Sequence, residues 1–217
     1  MAADIVFAID QSSGIVFYNQ SYDIWHVHVL DFVKRIAGAF TIDGSSTQIG
    51  LLKFGSVAEV VFELSRYDDR QSLLNAINTI HYHGGSTNIT AALQTARQIM
   101  FTLQNGARPG VPKFLILLTD GVANREATST LSEANQTKAA NITIFTVGIT
   151  QAVDKDQLQA IASSPNYFFF ASNLTHLNAI VQALTEDLCD ETSTSSATTE
   201  HTTRSIQHTF SVLHCNL

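Results

Sequence analysis

The stretch Asp4-Ile-Val-Phe-Ala-Ile-Asp10-Gln-Ser12-Ser13-Gly14 decides how this chain is read. Five apolar residues run directly into a carboxylate, then into small hydroxyl side chains and a glycine. A short apolar run of this kind reads as a strand buried on both faces, as in a parallel sheet covered by helices. Asp10 then falls at the strand's carboxyl end, where an open α/β sheet has its ligand crevice. The polar turn that follows can bring side-chain oxygens next to that carboxylate. Hard divalent cations take this ligand chemistry.

The rest of the chain repeats the alternation. After strand 4–10, Trp25, Val29, Val33, Ile36 and Phe40 form a helical stripe at spacings of three and four. The segment 25–29 also alternates like a strand, but the stripe continues to Phe40 and predicts a helix. Gln48 to Phe54 and Glu59 to Glu63 are strands joined by a short Gly55-Ser56 turn, hence antiparallel. Leu73, Leu74, Ile77 and Ile80 mark a second helix. A long helix with Ile89, Ala92, Leu93, Ala96, Ile99, Met100 and Leu103 on one face follows the loop 81–87. Phe114 to Thr119 is a fully apolar, central strand ending at Asp120. A polar surface helix (126–140), a strand (142–147), a short helix (154–162) with an aspartate at its positive end, a strand (167–171) and a helix bearing Leu177, Ile180, Val181, Leu184 and Leu188 complete the series. The fold class is therefore α/β: a doubly wound, mostly parallel, Rossmann-like sheet with one antiparallel edge strand and helices on both faces.

Asp10 and Asp120 both end apolar strands. If those strands are neighbours, the two carboxylates face one crevice, and Ser12 and Thr87 add neutral oxygens. Two carboxylates, hydroxyls and waters make an octahedral magnesium or manganese site. Singly, each residue has an ordinary reading as a turn or helix cap; together at strand ends they point to a metal. His81 and His83 beside the Gly84-Gly85 loop read as exposed loop residues or as a rim to the site. No phosphate-binding glycine loop and no Gly-x-Ser-x-Gly elbow is present.

The order Asp10-x-Ser12, Gly84-Gly85-x-Thr87 and an apolar strand ending Thr119-Asp120-Gly121 resembles the von Willebrand factor A domain, of the matrilin and non-fibrillar collagen type. Asp4 to Asp10, Gln48 to Phe54 and Gly106 to Gly121 carry the same resemblance. It implies a metal-ion-dependent adhesion site with Asp10, Ser12, Thr87 and Asp120 as ligands, supported by Ser13, Gly14, Gly85 and Gly121. The implied cofactor is Mg2+ or Mn2+. The implied partner is a protein, collagen or another matrix component, offering an acidic side chain to an open coordination position. The family motif is Asp-x-Ser-x-Ser, and Gly14 stands where the second serine ligand would be. Water can replace that hydroxyl, or the domain can bind partners without metal; the sequence leaves both open.

Composition bounds the alternatives. In 217 residues, 45% are hydrophobic and 14% charged, which is core-forming material and excludes a disordered chain. A net charge of −7 with no basic stripe excludes a nucleic-acid partner, and no apolar run reaches membrane-span length. An enzyme using Asp10 and Asp120 lacks a second acid or base. Residues 1–189 form the expected A domain, and 190–217 a Ser/Thr-rich linker or the start of a further module. Met1-Ala2-Ala3 leads straight into the first strand without a signal peptide, which reads as a piece of a larger, secreted protein. Asn19, Asn135, Asn141 and Asn173 are candidate N-glycosylation sites; a fifth sequon, at Asn88, adjoins the metal loop. Cys189 and Cys215 lie at the C-terminal edge, so no disulfide framework holds the core.

Overall fold

The computed structural model describes residues 2–12, 25–122, 127–173 and 176–195. Ser13, Gly14, Asn19 and Cys215 lie outside these residues. Strand β1 (Ala3–Asp10) is buried along its whole length. It pairs in parallel with β2 (Thr47–Phe54) on one side and β4 (Lys113–Thr119) on the other. The antiparallel β3 (Ala58–Phe62) closes one edge against β2. The other edge is built by β5 (Ile142–Ile149) and β6 (Phe168–Ala171), both parallel. The order is β3-β2-β1-β4-β5-β6. The expected doubly wound sheet with a single antiparallel strand is the observed one.

Helices cover both faces because successive strand side chains point to opposite sides. Ile5, Phe7 and Ile9 pack with α1 (Asp31–Gly38), α2 (Arg70–Asn78) and α6 (Leu177–Ser195). Val6 and Ala8 pack with α3 (Ile89–Thr95), α4 (Ala127–Ala139) and α5 (Lys155–Ile161). Each buried Val, Leu, Ile or Phe contributes about 1.5–3 kcal/mol relative to exposure. The segment 25–30 is a π-helical turn running into α1, so the helical reading of the Val29-Val33-Ile36-Phe40 stripe holds and all four residues are buried. Asp154 caps α5 as expected, accepting the Gln157 N–H at 2.9 Å.

Two elements depart from the sequence reading. The long helix after residue 89 is α-helical only to Thr95 and continues as a π turn, Ala96–Met100. The wider turn advances the buried face, so Ala96 and Met100 stay inside. Ile99 and Leu103, expected on that face, are 45% and 74% exposed. The last helix also runs on to Ser195, past the composition change at Glu191. The Tyr167 hydroxyl donates to the Glu191 carboxylate there, and Cys189 is disulfide-bonded. No helix among the described residues is long and apolar enough to cross a membrane.

The amino-terminal end of the sheet is closed by one ion pair. Asp4 is fully buried. Its carboxylate accepts the Arg108 backbone N–H at 2.7 Å and Nε at 2.9 Å. The same guanidinium donates to the carbonyls of Ala3 and Ser45. This explains the arginine in the Gly106 to Pro112 loop: a planar fork satisfies a buried carboxylate, the Ala3 carbonyl at the start of β1 and the Ser45 carbonyl in the turn before β2 at once. Leaving a fully buried carboxylate such as Asp4 without its cationic partner typically costs about 3–5 kcal/mol. Arg108→Ala is expected to lower the melting temperature by roughly 6–20 °C, at about 2–4 °C per kcal/mol for a chain of this size. Arg108→Lys, which keeps the charge and loses the fork, should recover only part of that in the same thermal melt.

Candidate functional site

The register of the sheet sets the site. Ile9 lies opposite Leu118, so the next residues on each strand, Asp10 and Thr119, end β1 and β4 side by side. Asp10 and Asp120 thus leave neighbouring parallel strands at the carboxyl edge, where the sequence pattern places them. Both are buried, Asp10 completely and Asp120 to 3% exposure.

Each oxygen of Asp10 is held. The Ser12 backbone N–H donates to Oδ1 at 2.7 Å, and the Thr119 hydroxyl donates to Oδ2 at 2.5 Å. Thr119 also accepts the Gly121 N–H at 3.2 Å, which shapes the turn carrying Asp120. The Ser12 hydroxyl acts on both carboxyls, lowering each against the effect of burial. Thr87 completes the group by donating to the Ser12 Oγ at 3.1 Å. The four residues drawn from three distant segments therefore meet in one place.

Glycines make the approach possible. Gly85 has φ of +125°, a conformation that L side chains rarely adopt, and a Cβ there would stand 3.0 Å from the Ser56 nitrogen. A Cβ on Gly121 would stand 2.9 Å from the Thr87 hydroxyl. The Thr-Asp-Gly and Gly-Gly-x-Thr signatures are thus two halves of one contact. Asn88 holds the other side of Thr87: it is buried, and its side chain caps α3 by accepting the Ala91 N–H at 2.9 Å.

The electrostatics are those of two acids forced together. Burial pushes the Asp10 carboxyl up to about 6, against the lowering effect of the Thr119 and Ser12 hydrogen bonds. Burial, and then the neighbouring Asp10 charge, push Asp120 up to about 8. Asp120 Oδ1 is buried without a hydrogen-bond partner among the described residues. A buried unpaired carboxylate oxygen is costly, and a bound cation removes that cost. Two carboxylates and two hydroxyls are an all-oxygen donor set, which fits a hard divalent ion. Among the described residues no group of three or more His, Cys, Asp or Glu could hold a metal; half the donors here are hydroxyls.

Thr119 was not singled out in the sequence, although its place opposite Asp10 follows once the two apolar strands are aligned. His81 and His83 are exposed, as expected of loop residues. The His83 Nδ1 accepts from the buried Lys53 ammonium at 2.7 Å. Ser13 and Gly14 lie outside the described residues.

The model of the von Willebrand factor type A domain matches residues 4–183. The human collagen alpha-5(VI) chain is 32% identical over 189 residues, covering 87% of this chain and 7% of the relative. Human matrilin-1 is 29% identical over 192 residues, 88% of this chain and 37% of the relative. The transmembrane cell adhesion receptor mua-3 of Caenorhabditis elegans is 32% identical over 184 residues, 83% of this chain and 5% of the receptor. The chain thus spans a minor part of each of these relatives. Proximal thread matrix protein 1 from the mussel byssus superposes with a TM-score of 0.82 at 28% identity, over 87% of this chain and 48% of that one; one of its structures is described as having a zinc-occupied MIDAS motif. Sheet order, site geometry and sequence agree that the chain belongs to the von Willebrand factor type A domain family.

Proposed function

We propose that this chain is a protein-binding module of an extracellular matrix or adhesion protein, and that it engages an acidic side chain of its partner through a divalent cation. Asp10, Ser12, Thr87 and Asp120 would hold the ion, magnesium or manganese. The observation that carries this reading is the pair of buried, mutually repelling carboxylates beside two converging hydroxyls, with Asp120 Oδ1 unpartnered among the described residues. Thr119 and the Ser12 N–H fix the Asp10 carboxylate, so its orientation does not depend on the ion. The bound ion would supply one open coordination position to a partner carboxylate. The names of the relatives, a collagen chain, a matrilin, an adhesion receptor and a byssal matrix protein, support a matrix or adhesion setting.

A second reading is a metal-independent interaction or assembly module of the same fold. The observation favouring it is Gly14, which offers no hydroxyl where the family motif has a serine. An enzyme is disfavoured by the surroundings of Ser12: the described groups against it are Asp10, Thr87, Asp120 and the Tyr82 hydroxyl, and none is a histidine or lysine that would activate a nucleophile.

A ligand that binds only the folded state raises its stability. Millimolar magnesium or manganese is therefore expected to raise the melting temperature over that in EDTA, by about 5 °C or more, and Asp120→Ala should abolish the increment. An unresponsive wild-type protein favours the metal-independent reading.

The raised carboxyls give the cation-free domain a pH dependence. Between the ordinary carboxyl value near 3.8 and about 8, the folded chain keeps protons that the unfolded chain has lost. The stability these two groups contribute is full below that window and falls as pH rises through it. In EDTA the melting temperature should drop by at least about 4 °C between pH 5 and pH 8.5, since one pKa unit is worth about 1.4 kcal/mol and each kcal/mol about 2–4 °C. Saturating cation should shrink the drop, because it binds the ionised pair. A melting temperature that rises with pH in EDTA contradicts this electrostatic account.

Among the described sequons, Asn135, Asn141 and Asn173 are exposed and Asn88 is buried in its cap. Peptide mapping of protein secreted from animal cells should find glycan among the first three and none on Asn88.

A further inference from the structure

A buried lysine next to the site has all its donors committed to one loop and one strand. Lys53, near the carboxyl end of β2, is 7% exposed. Its ammonium donates to the His83 Nδ1 at 2.7 Å and to the His81 carbonyl at 3.3 Å, and pairs with the Glu59 carboxylate at 3.3 Å. An ammonium has three protons, and these three acceptors account for all of them. Because a lysine ammonium can only donate, the His83 Nδ1 is the acceptor of this bond. The loop is thus gripped on both sides of Tyr82.

Tyr82 itself reaches the site. Its hydroxyl donates to the Ser12 carbonyl oxygen at 2.8 Å, across 70 residues of sequence. Its ring packs against the core on the side of α1, α2 and α6. Ser12 is then held from three directions: its N–H on Asp10, its hydroxyl on Thr87, and its carbonyl on Tyr82. Thr87 and Tyr82 belong to the same connection between α2 and α3, so the loop that carries one proposed ligand also fixes the backbone of another.

We infer that Tyr82, held in place by the Lys53 grip on His81 and His83, is a positioning residue that sets the Ser12 hydroxyl for cation binding. The inference rests on the cation reading above and goes beyond it, since neither Tyr82 nor Lys53 offers an atom to the ion. A ligand set must be held to within about half an ångström by its supporting contacts. Without the Tyr82 hydroxyl the Ser12 carbonyl is free to turn, and the Ser12 Oγ moves with it. The Tyr82 ring and its packing survive in phenylalanine, so the contribution of the hydroxyl can be isolated.

The test is manganese binding to the whole chain, followed by loss of the free-ion electron paramagnetic resonance signal, with melting in EDTA as the control. Tyr82→Phe is expected to raise the dissociation constant about 3- to 10-fold, as for loss of one hydrogen bond, and to leave the EDTA melting temperature within about 2 °C. Lys53→Met should weaken binding in the same direction, and the double variant should lose less than the product of the two separate effects, because both act through one loop. Tyr82→Phe that binds manganese as the unaltered protein does overturns the inference and leaves the cation reading intact. So does a variant that melts lower with unchanged affinity, which would make the bond purely structural. If the unaltered protein takes up no manganese, the inference and the cation reading fall together.

Discussion

The structure turns on two carboxylates held side by side at the end of a buried sheet. Asp10 and Asp120 leave adjacent central strands, and the strands are adjacent because each is apolar on both faces and must be flanked and covered. That arrangement puts two acids where neither ionises at its ordinary pH. Everything around them manages this. Thr119 and the Ser12 N–H fix Asp10, Thr87 and the Ser12 hydroxyl close the gap, and Gly121 leaves room for Thr87 to approach. A fold selected for stability alone gains nothing from this cluster. A fold that binds a cation gains a donor set already in position.

The Asp4–Arg108 ion pair and the proposed cation site occupy opposite ends of the sheet. At the amino-terminal end, the buried Asp4 carboxylate is paired with the partly exposed Arg108, which also binds the Ala3 carbonyl at the start of β1. At the carboxyl end, Asp120 keeps an oxygen without a partner among the described residues. Both ends bury carboxylates, but among the described residues only the amino-terminal end pairs its carboxylate with a cationic side chain. This contrast separates a structural acid from a candidate ligand better than burial does, since Asp4 and Asp10 are equally buried.

Much of this was legible in the sequence. Apolar runs ending in Asp10 and in Thr119-Asp120 marked central strands, and the alternation of strands with amphipathic segments marked a doubly wound sheet. Asp10, Ser12, Thr87 and Asp120 could be named because their residue types suit one chemistry and their places suit one edge. Ile99 falls off the buried face because a π turn adds a residue to the helical period, which a count at 3.6 does not register, and Leu103 because the helix ends at Met100 and Leu103 opens a separate 3-10 turn. The last helix outran its apolar stripe because Glu191 is bound by Tyr167, a contact across 24 residues. Tyr82 and Lys53 were out of reach for the same reason: their roles lie in contacts 70 and about 30 residues away, and neither type is diagnostic alone.

The central claim is that the two carboxylates and two hydroxyls form one cation site. The most direct measurement is a crystal structure grown in manganese, with anomalous scattering recorded near the manganese absorption edge. The account predicts a single strong peak between Asp10, Ser12, Thr87 and Asp120, with Asp120 Oδ1 now engaged directly or through water. No peak there at saturating manganese, or a peak held by other residues, would contradict it.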